Sequence, residues 1–328
     1  MTTHSKTVCI FGGTGFVGRQ IVRELAVRGY RIKVASRIPE RAFDLKPCGS
    51  VGQIVPVACD YADEDSLKQV LKGCDGAVNC IGILYEKGKT NRFHKIHTEL
   101  PARIAAVCAK QGVERFVHIS ALGVDKASSK YAKSKLAGEE EVLKAFPKAT
   151  ILRPSVIFGP GDNFFNMFAK MSVIAPALPL IGGGTTRFQP VYVGDVADAV
   201  RIALTAPSIG EANPQGKIYE LGGPEILTFK EIYESLFEQT GRRRKLVNLS
   251  WGVAAFQGAL MNIFLPNPPL TADQVCTLKT DNVVSEEALT LRDLGISATA
   301  MSTILPTYLA RFKPGGRFHG KDTVRKAS

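Results

Sequence analysis

Residues 7–18 read TVCIFGGTGFVG, and the fold of the whole chain turns on this stretch. Residues 8–11 are a short apolar run of the kind that forms a fully buried parallel strand, and they meet glycines where such a strand must turn into a helix. Gly12, Gly15 and Gly18 stand in G-x-x-G-x-x-G spacing. That pattern serves a tight turn, a close approach of backbone to a pyrophosphate, and close packing of the next helix on the strand. A helix over 17–28 then points its N-terminal amides and the positive end of its dipole at phosphate. A second apolar strand over 31–35 closes a βαβ unit, the context that distinguishes a dinucleotide cradle from three glycines in an ordinary turn.

The cofactor can be read slightly further on. An NAD-selective site places an acidic residue about 20 positions past the glycines, to hold the ribose 2′-hydroxyl. Here Ser36 and Arg37 follow the second strand instead. A guanidinium suits a 2′-phosphate, so NADP(H) is expected over NAD(H).

With 328 residues the chain has room for one large α/β domain and a smaller lobe. Its hydrophobic and charged fractions, 45% and 22%, are ordinary for a globular protein, whereas the net charge of +12 favours an anionic partner. Arg242, Arg243, Arg244 and Lys245 form a basic run, and residues 311–328 hold six Lys or Arg against one Asp. No nucleic-acid-binding module accompanies them, so nucleic acid is not expected as a partner. Seven cysteines without C-x-x-C or Cys/His ligand spacing argue against a metal site and for reduced, structural thiols. A first strand starting at residue 8 leaves no room for a targeting peptide, and no stretch is apolar for long enough to span a bilayer.

Strand and helix signals alternate through the first half: strands over 54–58, 76–80, 115–120 and 150–153, with helices over 66–72, 93–111 and 131–146. This pattern predicts an α/β fold with a doubly wound parallel sheet. After Arg153 the alternation loosens. A helix is expected over 164–171, and 174–181, broken by Pro176 and Pro179, reads as a loop or strand edge. Asp195 is placed to cap a helix over 196–206. A last strand over 217–221 is followed by Thr228 and Glu231 at capping-box spacing. The expected division is a nucleotide-binding domain over 1–165 and 187–224, a smaller, mostly helical lobe over 166–186 and 225–310, and a basic flexible tail over 311–328.

Tyr131 and Lys135 stand in YAKSK, where i and i+4 share a helix face, so the ammonium is expected to lower the phenol's pKa. Such a tyrosine exchanges a proton with a substrate oxygen while a nicotinamide carries the hydride. The glycine motif, this YxxxK pair, RPSVIFGPGD at 153–162 and VYVGDVADAV at 191–200 together resemble the extended short-chain dehydrogenase/reductase superfamily. FHKIHTELPARIA at 93–105, RFVHISALG at 115–123, GDNFFNMFAKM and GGGTTRFQPVYVGDVA narrow the likeness. They resemble an atypical group typified by a nucleotide-binding accessory subunit of respiratory complex I, whose members bind NADPH tightly and serve a structural role.

The resemblance implies a cofactor site residue by residue. Gly12, Thr14, Gly15, Phe16, Val17 and Gly18 match the pyrophosphate loop, Ser36 and Arg37 the 2′-phosphate site, and Asp60 and Tyr61 the adenine contact. Asn79, Ile81 and Gly82 match the turn beneath the nicotinamide ribose, Tyr131 and Lys135 the active pair, and Pro154 and Val156 the nicotinamide wall. It also implies a serine at the end of the fifth strand, where Ser120 stands. Tyr131 comes only eleven positions after Ser120, a short connection for an extended epimerase, and Ser128 and Ser129 are alternative positions for the same role. His97 occupies a place where active relatives carry Asn. These departures weaken catalysis more than cofactor binding.

Residues 249–265, LSWGVAAFQGALMNIFL, carry no charge and follow the basic run. This juxtaposition fits either a helix packed on its own lobe or peripheral contact of 242–265 with an anionic membrane or a partner. The first expectation is therefore an NADPH-binding accessory or assembly subunit of respiratory complex I, at the cytoplasmic face of a bacterial inner membrane or on the mitochondrial matrix side. The alternative is an NADP(H)-dependent reductase or nucleotide-sugar epimerase/dehydratase, with Tyr131 as acid/base, Lys135 tuning it and Ser120 orienting the substrate.

Overall fold

The computed structural model describes residues 6–207, 210 and 213–316. In chain order the α-helices are α1 (Phe16–Val27), α2 (Glu64–Leu71), α3 (Leu100–Lys110), α4 (Lys130–Ala145), α5 (Phe164–Ile174), α6 (Val193–Thr205), α7 (Phe229–Thr240), α8 (Trp251–Phe264), α9 (Ala272–Thr277) and α10 (Met301–Leu309). The chain divides into two compact units. The first comprises the described residues of Met1–Ser155, Val193–Gly222 and Val284–Ala298, and the second those of Val156–Tyr192, Gly223–Val283 and Thr299–Ser328.

The first unit is built on a seven-stranded parallel sheet. Its strands are β1 (Thr7–Phe11), β2 (Arg31–Ser36), β3 (Ile54–Ala58), β4 (Gly76–Asn79), β5 (Arg115–Ile119), β6 (Thr150–Pro154) and the edge strand Ile218–Leu221. The order is Ile218–Leu221, β6, β5, β4, β1, β2, β3. β1, β4 and β5 are buried along almost their whole length because both faces are covered. α1 packs with α6 on one face, and α2, α3 and α4 pack in sequence on the other. Between β3 and β4 the chain crosses to the other side of β1. The carboxyl ends of β1 and β4 therefore flank the switch point at which open α/β sheets bind ligands.

Residues 284–298, placed by sequence in the smaller lobe, belong to the first unit. The Glu220 N–H donates to the Leu289 carbonyl at 2.8 Å, and the Glu220 carboxylate accepts from the Ser285 N–H at 2.8 Å, so this segment closes the sheet's edge. Asp195 is a second revision: α6 starts at Val193, which puts the carboxylate in the first turn rather than at the cap. It still faces the positive helix end.

The second unit gathers α5, α7 and α10 round an aromatic core that includes Phe164, Phe168, Phe229 and Tyr233. α7 opens with the predicted Thr228/Glu231 capping box. The proline-broken stretch is a strand, Ala177–Ile181, paired in parallel with Lys245–Leu249. Two strands leave each proline nitrogen an outer edge, which is why Pro179 is tolerated there. Of the basic tail, residues 317–328 lie outside the described residues.

Candidate nucleotide site

The loop after β1 has the geometry that its glycines predict. Gly12 adopts φ +80°, a conformation that side chains resist, and the Gly15 N–H closes the turn on the Gly12 carbonyl at 3.0 Å. A Cβ on Gly18 would lie 2.2 Å from the Gly12 oxygen, so this glycine is a packing requirement of α1. Gly15 differs: its Cβ would meet only the Gly12 oxygen, at 3.3 Å, and otherwise point into open space. No side chain caps α1 and no acid stands in its first turn. The amides of Phe16, Val17 and Gly18, with the Thr14 turn, are left without a side-chain cap beside the open space at Gly15, an arrangement that could hold an anion.

At the end of β2, Ser36 is buried, and its hydroxyl exchanges hydrogen bonds with the Ile38 backbone at 2.9 and 3.1 Å, which occupies it in the turn. Arg37 is exposed, and its guanidinium carbon lies 5.9 Å from the centre of the Tyr61 ring. It makes no ion pair among the described residues. The Tyr61 hydroxyl donates to the Ala35 carbonyl at 2.9 Å, fixing that ring. Asp60 folds back, accepting from the Ala62 N–H at 2.9 Å. Arg37 is thus the free charge on this rim, resting on an aromatic shelf.

Polar side chains converge at the carboxyl ends of β4 and β5. The Asn79 oxygen accepts from the Ile81 N–H at 3.2 Å, and its amide meets His118 Nδ1 at 3.1 Å. Burial holds the His118 imidazole neutral, and Nε2 is buried without a partner. Ser120 Oγ is likewise buried and unpartnered. Buried polar atoms are rarely orphaned, so these two, two residues apart at the end of β5, could bond a ligand.

Lys135 is buried beneath this end of the sheet. Its Nζ donates to the Ile119 carbonyl at 3.0 Å and lies 3.6 Å from where a Gly82 Cβ would stand. Burial lowers its pKa to about 8, against the opposing pull of Glu139. Tyr131 is half-buried, and burial alone raises its phenol to about 12. Lys135 is thus anchored to the end of β5, and burial is the cause that sets the Tyr131 phenol. The Tyr131 ring stands edge-on to Phe93 and His97, at 5.9 and 5.3 Å, and those two stack at 5.3 Å.

His97 has a structural place that its sequence context does not reveal. It lies in a single π turn, His94–Glu99, which leads into α3. Nε2 accepts from the Ile83 N–H at 3.0 Å, Nδ1 meets Ser134 Oγ at 3.0 Å, and that hydroxyl donates to the Tyr131 carbonyl at 2.8 Å. One imidazole therefore ties the turn after β4 to α4. A Cβ on Gly138 would come 1.8 Å from the His97 oxygen, so α4 seats on the π turn through that glycine. Ser134 and Gly138 escaped the sequence reading; their only signal is i and i+4 spacing on the face of YAKSK that meets α3.

A second missed group lies one turn further along α4. Arg153 on β6 makes a two-pronged contact with Glu139, at 3.0 and 2.7 Å, and reaches Asp125 at 2.8 Å and Glu220 at 3.7 Å. Charge in a strand reading TILRP was the available signal. Pro154 ends β6, its carbonyl accepting from the Leu122 N–H at 2.9 Å. Val156 falls in the second unit, where its N–H donates to Asn282 at 3.1 Å and its side chain packs against the aromatic core. Among the described residues no cluster of His, Cys, Asp or Glu has metal-binding geometry.

Residues 8–222 match the NAD dependent epimerase/dehydratase family. The chain is 35% identical to NADH dehydrogenase [ubiquinone] 1 alpha subcomplex subunit 9, mitochondrial, of Arabidopsis thaliana, over 97% of this chain and 80% of that protein. It is 31% identical to the protein of the same name from Dictyostelium discoideum, over 94% and 86%. In fold it resembles the NADPH-dependent quinone oxidoreductase of Escherichia coli solved with NADPH. The TM-score is 0.71 at 19% identity, over 92% of this chain and 98% of that one.

Proposed function

Because the chain belongs to the NAD dependent epimerase/dehydratase family, we propose that it is a dinucleotide-binding accessory subunit of NADH:ubiquinone oxidoreductase, not a free-standing enzyme. The observation that carries this reading is the 35% identity to the plant subunit across 97% of the chain. The site's chemistry points the same way. Its cradle, its orphaned polar atoms and its basic rim fit a nicotinamide dinucleotide, whereas the phenol that would move a proton is raised to about 12 and boxed by two rings.

NADP(H) is the expected form, with Arg37 on the Tyr61 shelf receiving a 2′-phosphate. A bound dinucleotide stabilises the first unit by mass action and orders the loops after β1 and β4, which is what a structural role requires of it. Such a subunit sits peripherally, on the matrix side in a mitochondrion or the equivalent face of a bacterial membrane. Among the described residues no helix is long and apolar enough to cross a membrane.

One observation favours the second reading, a reductase or nucleotide-sugar epimerase/dehydratase. Ser120 Oγ is unpartnered where a substrate oxygen would be oriented, and Tyr131 and Lys135 are both present. A nicotinamide would there supply the hydride, leaving Tyr131 to move the proton. The deciding experiment is a native pull-down from detergent-solubilised membranes, with the retained nucleotide identified by mass spectrometry. Recovery of respiratory subunits with stoichiometric NADPH, unchanged in Tyr131→Phe, is expected. A free protein that turns over a carbonyl or nucleotide-sugar substrate and loses that turnover in Tyr131→Phe would overturn the structural reading.

A further inference from the structure

α8 carries an apolar stripe that its own unit leaves uncovered. Val253, Phe256, Leu260, Ile263 and Phe264 are 48%, 70%, 47%, 75% and 74% exposed, at the i, i+3, i+4 spacing of one helix face. The opposite face is pinned. Ala254 packs with Ile181 and Val275, and a Cβ on Gly258 would lie 2.6 Å from the Thr271 backbone. At the first turn the Ser250 hydroxyl caps the helix and Trp251 fills the space over Gly182. The stripe is therefore a held surface, not a frayed one.

Along the sequence leading into α8, charge has one sign. No Asp or Glu occurs between Gln239 and Ala272, while Arg242, Arg243, Arg244 and Lys245 all fall there. Arg242 and Arg244 are drawn inward, donating to the Phe312 and Ser172 carbonyls at 2.7 Å each. Arg243 and Lys245 remain exposed, beside the exposed Val247. The fourteen residues of α8 extend about 21 Å, short of the roughly 30 Å of a bilayer's hydrocarbon core. On a membrane, a helix that is too short to span and has one face already buried in protein satisfies the other by lying in the interface.

We propose that α8, with Arg243 and Lys245, is a monotopic docking surface for an anionic lipid membrane. Its stripe enters the acyl boundary while the two cations meet lipid phosphates. A protein partner would leave two cations to be matched by acids; a leaflet rich in phosphate matches them without a specific geometry. This surface belongs to the second unit and does not depend on the accessory-subunit reading.

The test is flotation of the purified full-length protein with protein-free vesicles, either phosphatidylcholine alone or phosphatidylcholine with an equal part of phosphatidylglycerol. Wild type should float with the anionic vesicles and quench at Trp251, the single tryptophan, when the acyl chains are brominated. Arg243→Ala/Lys245→Ala should weaken binding about thirtyfold, at one surface cation's worth of attraction each. Phe256→Glu/Ile263→Glu should abolish flotation with nucleotide content and melting temperature unchanged. Flotation of that variant equal to wild type would overturn the proposal. So would a wild-type protein that ignores both vesicles, or one that forms a dimer lost in Phe256→Glu/Ile263→Glu without lipid, which would give the stripe to a second copy. Because the vesicles contain no respiratory subunit, failure here is separate from failure of the pull-down.

Discussion

His97→Gln should flatten the acid limb of this protein's stability curve. The imidazole is 1% exposed, and burial, reinforced by the nearby Lys135 charge, lowers its pKa from 6.5 to about 3. The unfolded chain binds a proton near the ordinary histidine value, and the folded chain binds none until far lower. The stability contributed by the neutral ring is thus fully present above pH 6.5 and is lost as the pH falls toward 3. Between pH 7 and pH 5 the unfolded state gains nearly one proton per histidine that the native state refuses, a loss of about 2 kcal/mol through His97. His118, also held neutral by burial, steepens the same slope. Urea unfolding of the nucleotide-free protein at the two pH values measures it. His97→Gln should start less stable at pH 7, since the Ile83 and Ser134 hydrogen bonds are disturbed, and should lose about 2 kcal/mol less on acidification. Equal acid loss in His97→Gln and wild type would refute the neutral, buried imidazole.

Three other outcomes follow from the site. Arg37→Ala should weaken NADPH by roughly ten- to a hundredfold and spare NADH, since a charge-assisted contact contributes about 1.5 to 3 kcal/mol; equal loss of both nucleotides, by calorimetry, would remove the 2′-phosphate assignment. Gly15→Ala should cost nucleotide affinity with little change in melting temperature, whereas Gly18→Ala should lower the melting temperature, since its Cβ meets backbone at 2.2 Å. Arg153→Met, which strands the buried Glu139 carboxylate, should destabilise by about 3 to 5 kcal/mol in urea, with much of that regained in Arg153→Met/Glu139→Leu.

Several elements were legible in the sequence for physical reasons. β1 and the glycine loop are local: an apolar run and a turn each announce themselves within twelve residues. Ser120, singled out by the family resemblance, stands directly after β5. The π turn at His97 was not legible, because one extra residue in a helical turn leaves the apolar pattern almost intact. Ala177–Ile181 could be read only as a loop or strand edge, because a proline in a strand is tolerated at an edge alone, and the strand is the reading that holds. The bond from Lys135 to the Ile119 carbonyl was not legible either: i and i+4 spacing places Lys135 on the Tyr131 face of α4 but does not say which strand end its ammonium meets. The Arg153 group needed three distant carboxylates, at 125, 139 and 220, brought together by the sheet.

The edge strand Ile218–Leu221 pairs with β6, yet Ile218 comes 64 positions after Pro154. During synthesis at ordinary translation rates, that interval keeps the edge of β6 uncovered for about 3 to 13 s, along with the Glu139–Arg153 pair that Glu220 later joins. An unpaired parallel edge invites association between nascent chains, so holdase chaperones have a defined moment at which to act. Ribosome-bound intermediates stalled near residue 200 should bind them, and chains stalled well beyond 221 should not.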